Sequence, residues 1–201
     1  MSQIQIPKTH RVIRRTPPSD QHGKPSLTSP SPLRIVEEPT PTLTTPTSVL
    51  IRIRAVALNY RDTLTLRGHE AYPGVFADDG VPTSDCAAEV VAVGEGVTRF
   101  SVGDRVCPTF DLLNLDGRLP PPASTSGAGS GSGSYDYLGK GLERAALGGE
   151  VDGVLREWAV FEEKVLVRLP RGLSWEEVSF PFSLFPFLPF SSPVYLVYVW
   201  L

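Results

Sequence analysis

Apolar and polar side chains alternate along several short segments of the chain, and Val49–Leu58 is the clearest of them. Most residues of this segment are apolar, while Arg52 and Arg54 are expected to point to the opposite side. A period of two residues is typical of a strand in a sheet with one solvent-facing side. Similar stretches predict further strands at His10–Arg15, Leu33–Glu38, Cys86–Val93, Gly153–Phe161 and Lys164–Leu169, and a tight turn at Val102–Val106 leads into another strand that ends near Phe110.

Helices are expected at two places, and both are short. Asn59–Arg67 breaks the alternation and predicts a helix stopped by Gly68. Ser174 followed three residues later by Glu177 is the spacing of a capping box, which predicts a helix beginning there. Short strands, frequent turns and little helix indicate a mainly β fold, a partly open barrel with short helices.

The 20 prolines and 18 glycines are clustered, and the clusters divide the chain. Residues 1–32 are expected to form a leader with one strand followed by a disordered Pro/Ser-rich loop. Residues 33–181 are expected to form one domain, interrupted at 119–134 by a flexible insert of Pro, Ser, Gly and Ala. Residues 182–201 form an uncharged apolar tail.

Charge and cysteine content exclude some classes of partner and compartment. The net charge is -3, and the 19 Lys and Arg residues are scattered, so no nucleic-acid partner is expected. The two cysteines, Cys86 and Cys107, are interpreted as free thiols, with one disulfide between them as the alternative. The first residues lack the apolar run of a signal peptide, so the cytoplasm is the expected compartment.

A site for a nucleotide is not predicted anywhere in the 201 residues. Gly-x-Gly-x-x-Gly between a strand and a helix does not occur, and no βαβ pattern is found. The glycine-rich run at 127–133 lies among serines, and a phosphate needs backbone N–H groups fixed at a helix N-terminus. We therefore expect no nicotinamide cofactor to bind this chain tightly by itself.

Four segments in order resemble the GroES-like domain of the medium-chain dehydrogenase/reductase superfamily. They read VLIRIRAVALNYRD, VPTSDCAAEVVAVGEGVTRFSVGDRV, GGEVDGVLREWAVFEEKVLVRLP and GLSWEEVSFP, and together they extend over roughly residues 33–181. The resemblance implies the substrate-side domain of an NAD(P)-dependent oxidoreductase of the alcohol dehydrogenase or quinone oxidoreductase type. The partner domain of such enzymes, a Rossmann domain, is expected to be absent, and the truncated chain alone is expected to be inactive.

The resemblance also implies that the chain belongs to the zinc-free branch. The zinc branch carries a Cys at the position of Asn59 and Gly-His-Glu at the position of Thr83-Ser84-Asp85, so no metal ligand is expected there. The triplet Gly68-His69-Glu70 spells the zinc-branch motif in the wrong register, and we interpret it as a polar turn.

The remaining chemistry lies in the corner Asn59-Tyr60-Arg61-Asp62. By resemblance, Asn59 and Tyr60 would donate hydrogen bonds to the substrate carbonyl or contact the cofactor, and Asp62 would orient the corner or hold a water. Such donors stabilise the negative charge that hydride transfer builds on oxygen. The structural alternatives are that Asp62 or Asn59 caps the helix and that Tyr60 packs. The substrate would be a carbonyl, a quinone or an enone, and both NAD and NADP remain open.

The tail suggests a second interpretation of the whole chain. Every residue from Ser179 to Pro193 is Phe, Ser, Leu or Pro, as translation through a pyrimidine-rich stretch of a gene would give. A decayed or mis-spliced gene product is therefore one alternative, and a non-catalytic binding or scaffold module is another. A membrane anchor is disfavoured because three prolines interrupt the apolar stretch.

Overall fold

A computed structural model of the chain describes residues 5–16, 33–67, 79–113, 115 and 145–179. The gaps contain the predicted Pro/Ser-rich loop, the insert at 119–134, the Gly68-His69-Glu70 triplet and the apolar tail, which all lie outside the described residues. The elements in chain order are β1 (Thr9–Arg15), β2 (Leu33–Pro39), β3 (Ser48–Ala57), α1 (Tyr60–Arg67), β4 (Asp85–Val93), β5 (Arg105–Pro108), β6 (Trp158–Glu162), a 3₁₀ turn (Glu163–Val165), β7 (Leu166–Arg168) and α2 (Trp175–Ser179).

The strands form one main sheet and one hairpin. The main sheet has the order β6-β3-β4-β5-β7, and each of its named strand pairs is antiparallel. β1 and β2 pair with each other as a two-stranded antiparallel sheet. The fold is therefore mainly β, a curled, partly open barrel with short helices, which confirms the predicted fold class.

The main core lies on one side of the five-stranded sheet. It includes Ile51, Val90 and Val106 from the three central strands and Val12 from β1, so the N-terminal strand belongs to the same core. His10 is also buried, and its Nδ1 accepts the backbone N–H of Trp158 at 3.2 Å. Burial, together with the nearby Arg156 cation, lowers the pKa of His10, so its role in β1 is structural.

The second side of the sheet is more buried than the alternating pattern of β3 predicts. Arg52 is exposed as expected, but Leu50 is buried in a small cluster with Val91 and Trp158. At the other end of the same side, α2 covers Ala87. The expectation of one solvent-facing side is therefore wrong over much of β3, because Trp158 and α2 cover it.

The predicted strand Gly153–Phe161 is only half correct. β6 begins at Trp158, and the preceding residues instead hydrogen-bond to the segment before β4. The backbone N–H groups of Gly153 and Val154 donate to the carbonyls of Val81 and Thr83 at 2.7 and 3.0 Å. Partners outside the sheet thus divert these residues from the strand that their apolar pattern predicts.

The start of α2 and the state of the two cysteines agree with the sequence predictions of a capping box and of free thiols. The backbone N–H of Ser174 donates to Glu177 Oε2 at 2.7 Å, and Glu177 N–H donates to Ser174 Oγ at 3.1 Å, which is a complete capping box. Both cysteines are free. Cys86 faces the main core and Cys107 packs on the opposite side of the sheet, an arrangement unsuited to a disulfide. Among the described helices, none has the length and apolarity needed to cross a membrane.

Candidate functional site

The corner between β3 and α1 is placed by the pairing of β3 with β4. Ala57, the last residue of β3, lies opposite Asp85, the first residue of β4. α1 begins at Tyr60, three residues after the end of β3. The loop residue Asn59 is therefore brought beside Asp85, although 26 positions separate them in the chain.

Asp62 caps the start of α1. Its Oδ2 accepts the backbone N–H of Asn59 at 2.7 Å, and its own backbone N–H donates to the carbonyl of Asn59 at 3.0 Å. The structural alternative considered for Asp62 is therefore what the contacts support. Burial raises the pKa of Asp62 to about 6, and the hydrogen bond from Asn59 opposes this shift only in part.

The side chain of Asn59 does not cap the helix. Its Nδ2 donates to Oδ2 of Asp85, and Ser84 Oγ donates to the same oxygen at 3.1 Å. Burial raises the pKa of Asp85, while the hydrogen bonds from Ser84 and Asn59 act in the opposite direction. Asp85 was not among the predicted site residues, because only the pairing of β3 with β4 brings it to the corner.

The other two residues of the corner point elsewhere. Tyr60 is 68% exposed, so its phenol is open to solvent and does not pack in the core. The guanidinium of Arg61 donates to the carbonyl of Leu147 at 3.0 Å and lies 4.8 Å from the ring centroid of Phe110. Asn59 and Asp62 are thus brought together, whereas the Tyr60 side chain stands outside their hydrogen-bonded cluster.

The backbone just before Asp85 is strained. Thr83 has φ of 70°, a left-handed conformation that a β-branched residue rarely adopts. It is buried, and in the part of the chain that the structure describes its hydroxyl has no hydrogen-bond partner. Gly148 and Gly153 press against its backbone, since a Cβ at Gly153 would lie 2.0 Å from the Thr83 carbonyl oxygen. Strain of this kind is often found beside functional sites.

A metal centre does not assemble in the described residues. No group of three or more His, Cys, Asp and Glu side chains among them could hold a metal ion. Asn59 and Ser84 stand where the zinc branch has its Cys and its His, and the carboxylate of Asp85, at the position of the Glu, accepts a hydrogen bond from Asn59. Without that Cys and that His, the residues at these positions do not fit a zinc ion held by three protein ligands.

A cavity of about 440 Å³ lies away from this corner. It is bordered by Thr44, Leu113, Arg156, Phe161 and Lys164 among others, and none of Asn59, Tyr60 and Asp62 lines it. The cavity therefore does not belong to the candidate site.

The fold defines a class, the mainly β GroES-like domain. Residues 45–171 match the family of alcohol dehydrogenase GroES-like domains, so the chain belongs to this family, within the medium-chain dehydrogenase/reductase superfamily. The resemblance inferred from the four sequence segments is confirmed.

Individual relatives agree with this assignment. A zinc-type alcohol dehydrogenase-like protein from Schizosaccharomyces pombe is 34% identical over 134 residues, which are 67% of this chain and 33% of the relative. A quinone oxidoreductase from Pseudomonas aeruginosa is 48% identical over 61 residues, 30% of this chain and 18% of that protein. A crystal structure of a protein named as an alcohol dehydrogenase from Sinorhizobium meliloti 1021 is 32% identical and superposes with a TM-score of 0.64, covering 87% of this chain and 43% of that one.

The chain spans about a third of the length of the curated relatives that it matches over most of its own length. What the matches share with it is the β domain, and the activities in the relatives' names belong to those longer proteins.

Proposed function

We propose that these residues form the substrate-side domain of an NAD(P)-dependent oxidoreductase that reduces a carbonyl, a quinone or an enone without zinc. The observation that carries the proposal is the hydrogen bond between Asn59 and Asp85, which stand where the zinc branch has its Cys and the Glu of its Gly-His-Glu. The amide and the carboxylate form a polar cluster, and it lies beside the exposed Tyr60.

Asn59 and Tyr60 are the groups proposed to meet substrate or cofactor. The nicotinamide cofactor supplies the hydride when it is bound, and the protein contributes orientation and electrostatics. The phenol O–H of Tyr60 is free to donate to an oxygen that gains negative charge, and such a donor is worth about 3 kcal/mol in the transition state. Asp62 acts through the backbone, because its carboxylate fixes the N–H of Asn59 and with it the start of α1.

Zinc independence is proposed from this chain's own residues. The relative from Schizosaccharomyces pombe carries zinc in its printed name, which describes that protein. Asn59 and Ser84, which stand where the zinc branch has its Cys and its His, support the zinc-free alternative for this chain. The quinone oxidoreductase relative supports a quinone as the acceptor.

We further propose that turnover needs a nucleotide-binding domain in addition to residues 1–201. This is supported by the described sheets, whose named strand pairs are all antiparallel, and by the turn from β3 into α1, which has no glycine to let a pyrophosphate approach the backbone. The cytoplasm is the proposed compartment, where such cofactors and free thiols such as those of Cys86 and Cys107 are both found.

Two measurements test the proposal. Titration of the 201-residue chain with NADPH, followed by calorimetry, is expected to show no micromolar binding, and tight binding would contradict the need for a second domain. A chimera that joins this domain to the remaining part of the Sinorhizobium meliloti relative is expected to oxidise NAD(P)H with ketones, quinones or enones, equally with and without a chelator.

The outcomes separate the alternatives. Activity that a chelator abolishes would overturn the zinc-free assignment alone. A folded chimera that binds NADPH but reduces none of the acceptors would instead favour a non-catalytic binding module.

A further inference from the structure

Asn59 is held at both its backbone and its side chain. The carboxylate of Asp62 accepts its backbone N–H at 2.7 Å, and the carboxylate of Asp85 accepts a hydrogen from its Nδ2. These two acceptors come from different elements, α1 and β4, and they bind different parts of Asn59. Asp62 closes the helix start, whereas Asp85 touches only the side-chain amide of this residue.

The contact with Asp85 decides which end of the amide faces inward. An ionised carboxylate can only accept hydrogen bonds, so it selects the nitrogen of the amide and rejects the oxygen. The amide oxygen of Asn59 and the second Nδ2 hydrogen are then left for other partners. In the described residues no hydrogen bond to that oxygen is formed by the protein, and Asn59 itself is only half-buried.

We propose that Asp85 is the positioning residue of the site, holding the Asn59 amide with its nitrogen inward so that its carbonyl oxygen is offered as a hydrogen-bond acceptor. The role rests on the proposed function, because it assigns meaning to Asn59 as a group that meets a ligand. It also changes the part given to Asn59 from the sequence, since the main donor at the corner becomes Tyr60, and Asn59 receives an N–H or O–H of the ligand.

The side-chain bond is not needed to build the corner. β3 and β4 are already paired at Ala57 and Asp85, and α1 is already capped by Asp62. The strained Thr83 backbone lies two residues before Asp85, where the chain turns into β4. Strain retained beside a carboxylate that orients an amide is consistent with selection for the position of that carboxylate.

The test is nuclear magnetic resonance of the Asn59 side chain in the full 201-residue chain, at mildly alkaline pH. Asn59 and Asn114 are the two asparagines of the chain, so selective ¹⁵N labelling of asparagine, which leaves the three glutamines silent, together with the variant Asn114→Ser assigns the Asn59 signals. One Nδ2 proton of Asn59 is expected to lie downfield and to exchange with solvent about tenfold more slowly than in a free primary amide, because its acceptor is charged.

Asp85→Asn replaces the charged acceptor by a neutral one of the same shape. The downfield shift is expected to be lost and the exchange to become about tenfold faster. Ser84→Ala is the matched control, because it removes the other hydrogen bond to the same oxygen and is expected to leave the Asn59 signals in place. Unchanged Asn59 signals in Asp85→Asn, or signals lost equally in Ser84→Ala, would overturn the positioning role.

The measurement on the unsubstituted chain stands even where Asp85→Asn does not fold, since an Asn59 amide that exchanges like a free amide is itself a contradiction. None of these readouts needs cofactor or turnover. An inactive chimera with a protected Asn59 amide would therefore count against the proposed function alone, and an unprotected amide in an active chimera against Asp85 alone.

Discussion

At two places in the molecule, two stretches of backbone lie in close contact. The two places differ in whether their residue types tolerate the conformation and the close approach. At the first, the Gly94 turn (residues 94–97), a Cβ on Gly94 would lie 2.2 Å from the carbonyl oxygen of Pro46. At the second, the Thr83 turn (residues 82–85), Gly153 approaches the Thr83 carbonyl equally closely. Glycine occupies every tight position of the first turn, but the second turn places threonine at φ of 70°.

The difference separates a turn that serves the fold from one beside the candidate site. The Gly94 turn is satisfied by main-chain bonds, with Gly94 N–H donating to Ser48 at 2.8 Å and Gly96 N–H to Pro46 at 2.9 Å. The Thr83 turn keeps a strained backbone and an unsatisfied buried hydroxyl in the described part of the chain. It leads directly into Ser84 and Asp85, which hold the polar cluster at Asn59.

The largest effects are expected from placing a methyl group in either turn. Gly94→Ala and Gly153→Ala should each lower the free energy of unfolding by about 3 kcal/mol, because the new Cβ meets rigid backbone. Urea unfolding measures this loss. Only Gly153→Ala is expected also to shift the Asn59 side-chain resonances, and equal shifts in both variants would remove the distinction between the turns.

Acidity should affect the start of α1, which neighbours the Thr83 turn across the Asn59–Asp85 bond, through Asp62. The pKa of Asp62 in the folded chain is about 6, above its ordinary value of 3.8. Protonation of Asp62 therefore stabilises the folded state: the full stabilisation is present below pH 3.8, and it is lost as the pH rises through about 6. Two pKa units correspond to roughly 3 kcal/mol as an upper value. Asp62→Asn stays neutral, so its stability relative to the unsubstituted chain should rise across that window. Urea unfolding at several pH values measures the difference, and a difference independent of pH would contradict the raised pKa.

Relief of strain at Thr83 is expected to be of intermediate size. Thr83→Gly should raise the free energy of unfolding by about 2 kcal/mol, since strain and the unsatisfied hydroxyl together outweigh the added freedom of the unfolded chain. Thr83→Ala keeps the left-handed backbone and should gain about half as much. Thermal or urea unfolding of both variants tests this, and a destabilised Thr83→Gly would show that the threonine side chain contributes packing that outweighs the strain.

The smallest effect isolates backbone conformation from steric contact. Gly103 has φ of 91°, and a Cβ there would meet nothing within 4 Å. Gly103→Ala should therefore cost only about 1 kcal/mol, the penalty of the left-handed conformation itself. A loss as large as that of Gly94→Ala would mean that conformation, and not the clash with Pro46, dominates in the Gly94 turn.

Local pattern was enough to predict most of the sheet. β4 was expected at Cys86–Val93 and lies at Asp85–Val93, and the capping box at Ser174 forms as its spacing predicts. These features depend on residues adjacent in sequence, where periodicity and capping chemistry act. The strand expected at Gly153–Phe161 was partly wrong because its first residues bond to a distant segment, which no local pattern reveals.

The candidate site was predicted less completely than the fold. Asn59 and Asp62 were identified and do lie together, and helix capping by Asp62 was one of the alternatives, but the partner of the Asn59 side chain was not predicted. Asp85 reaches Asn59 through the register of β3 and β4, and the resemblance had compared both positions with the zinc branch without predicting a contact between them. Thr83 is equally hidden, because a β-branched residue favours extended backbone and gives no sign of a positive φ. Their roles at the site stay predictions.

The two thiols, on opposite sides of the sheet, allow the opening of the sheet to be measured by a chemical reaction. Burial raises the pKa of Cys107 to about 11 and holds that of the fully buried Cys86 well above its usual range, so alkylation of both thiols is slow while β4 and β5 stay paired. The rate at which iodoacetamide captures Cys86 therefore reports how often the centre of the sheet opens, without any label having to be introduced.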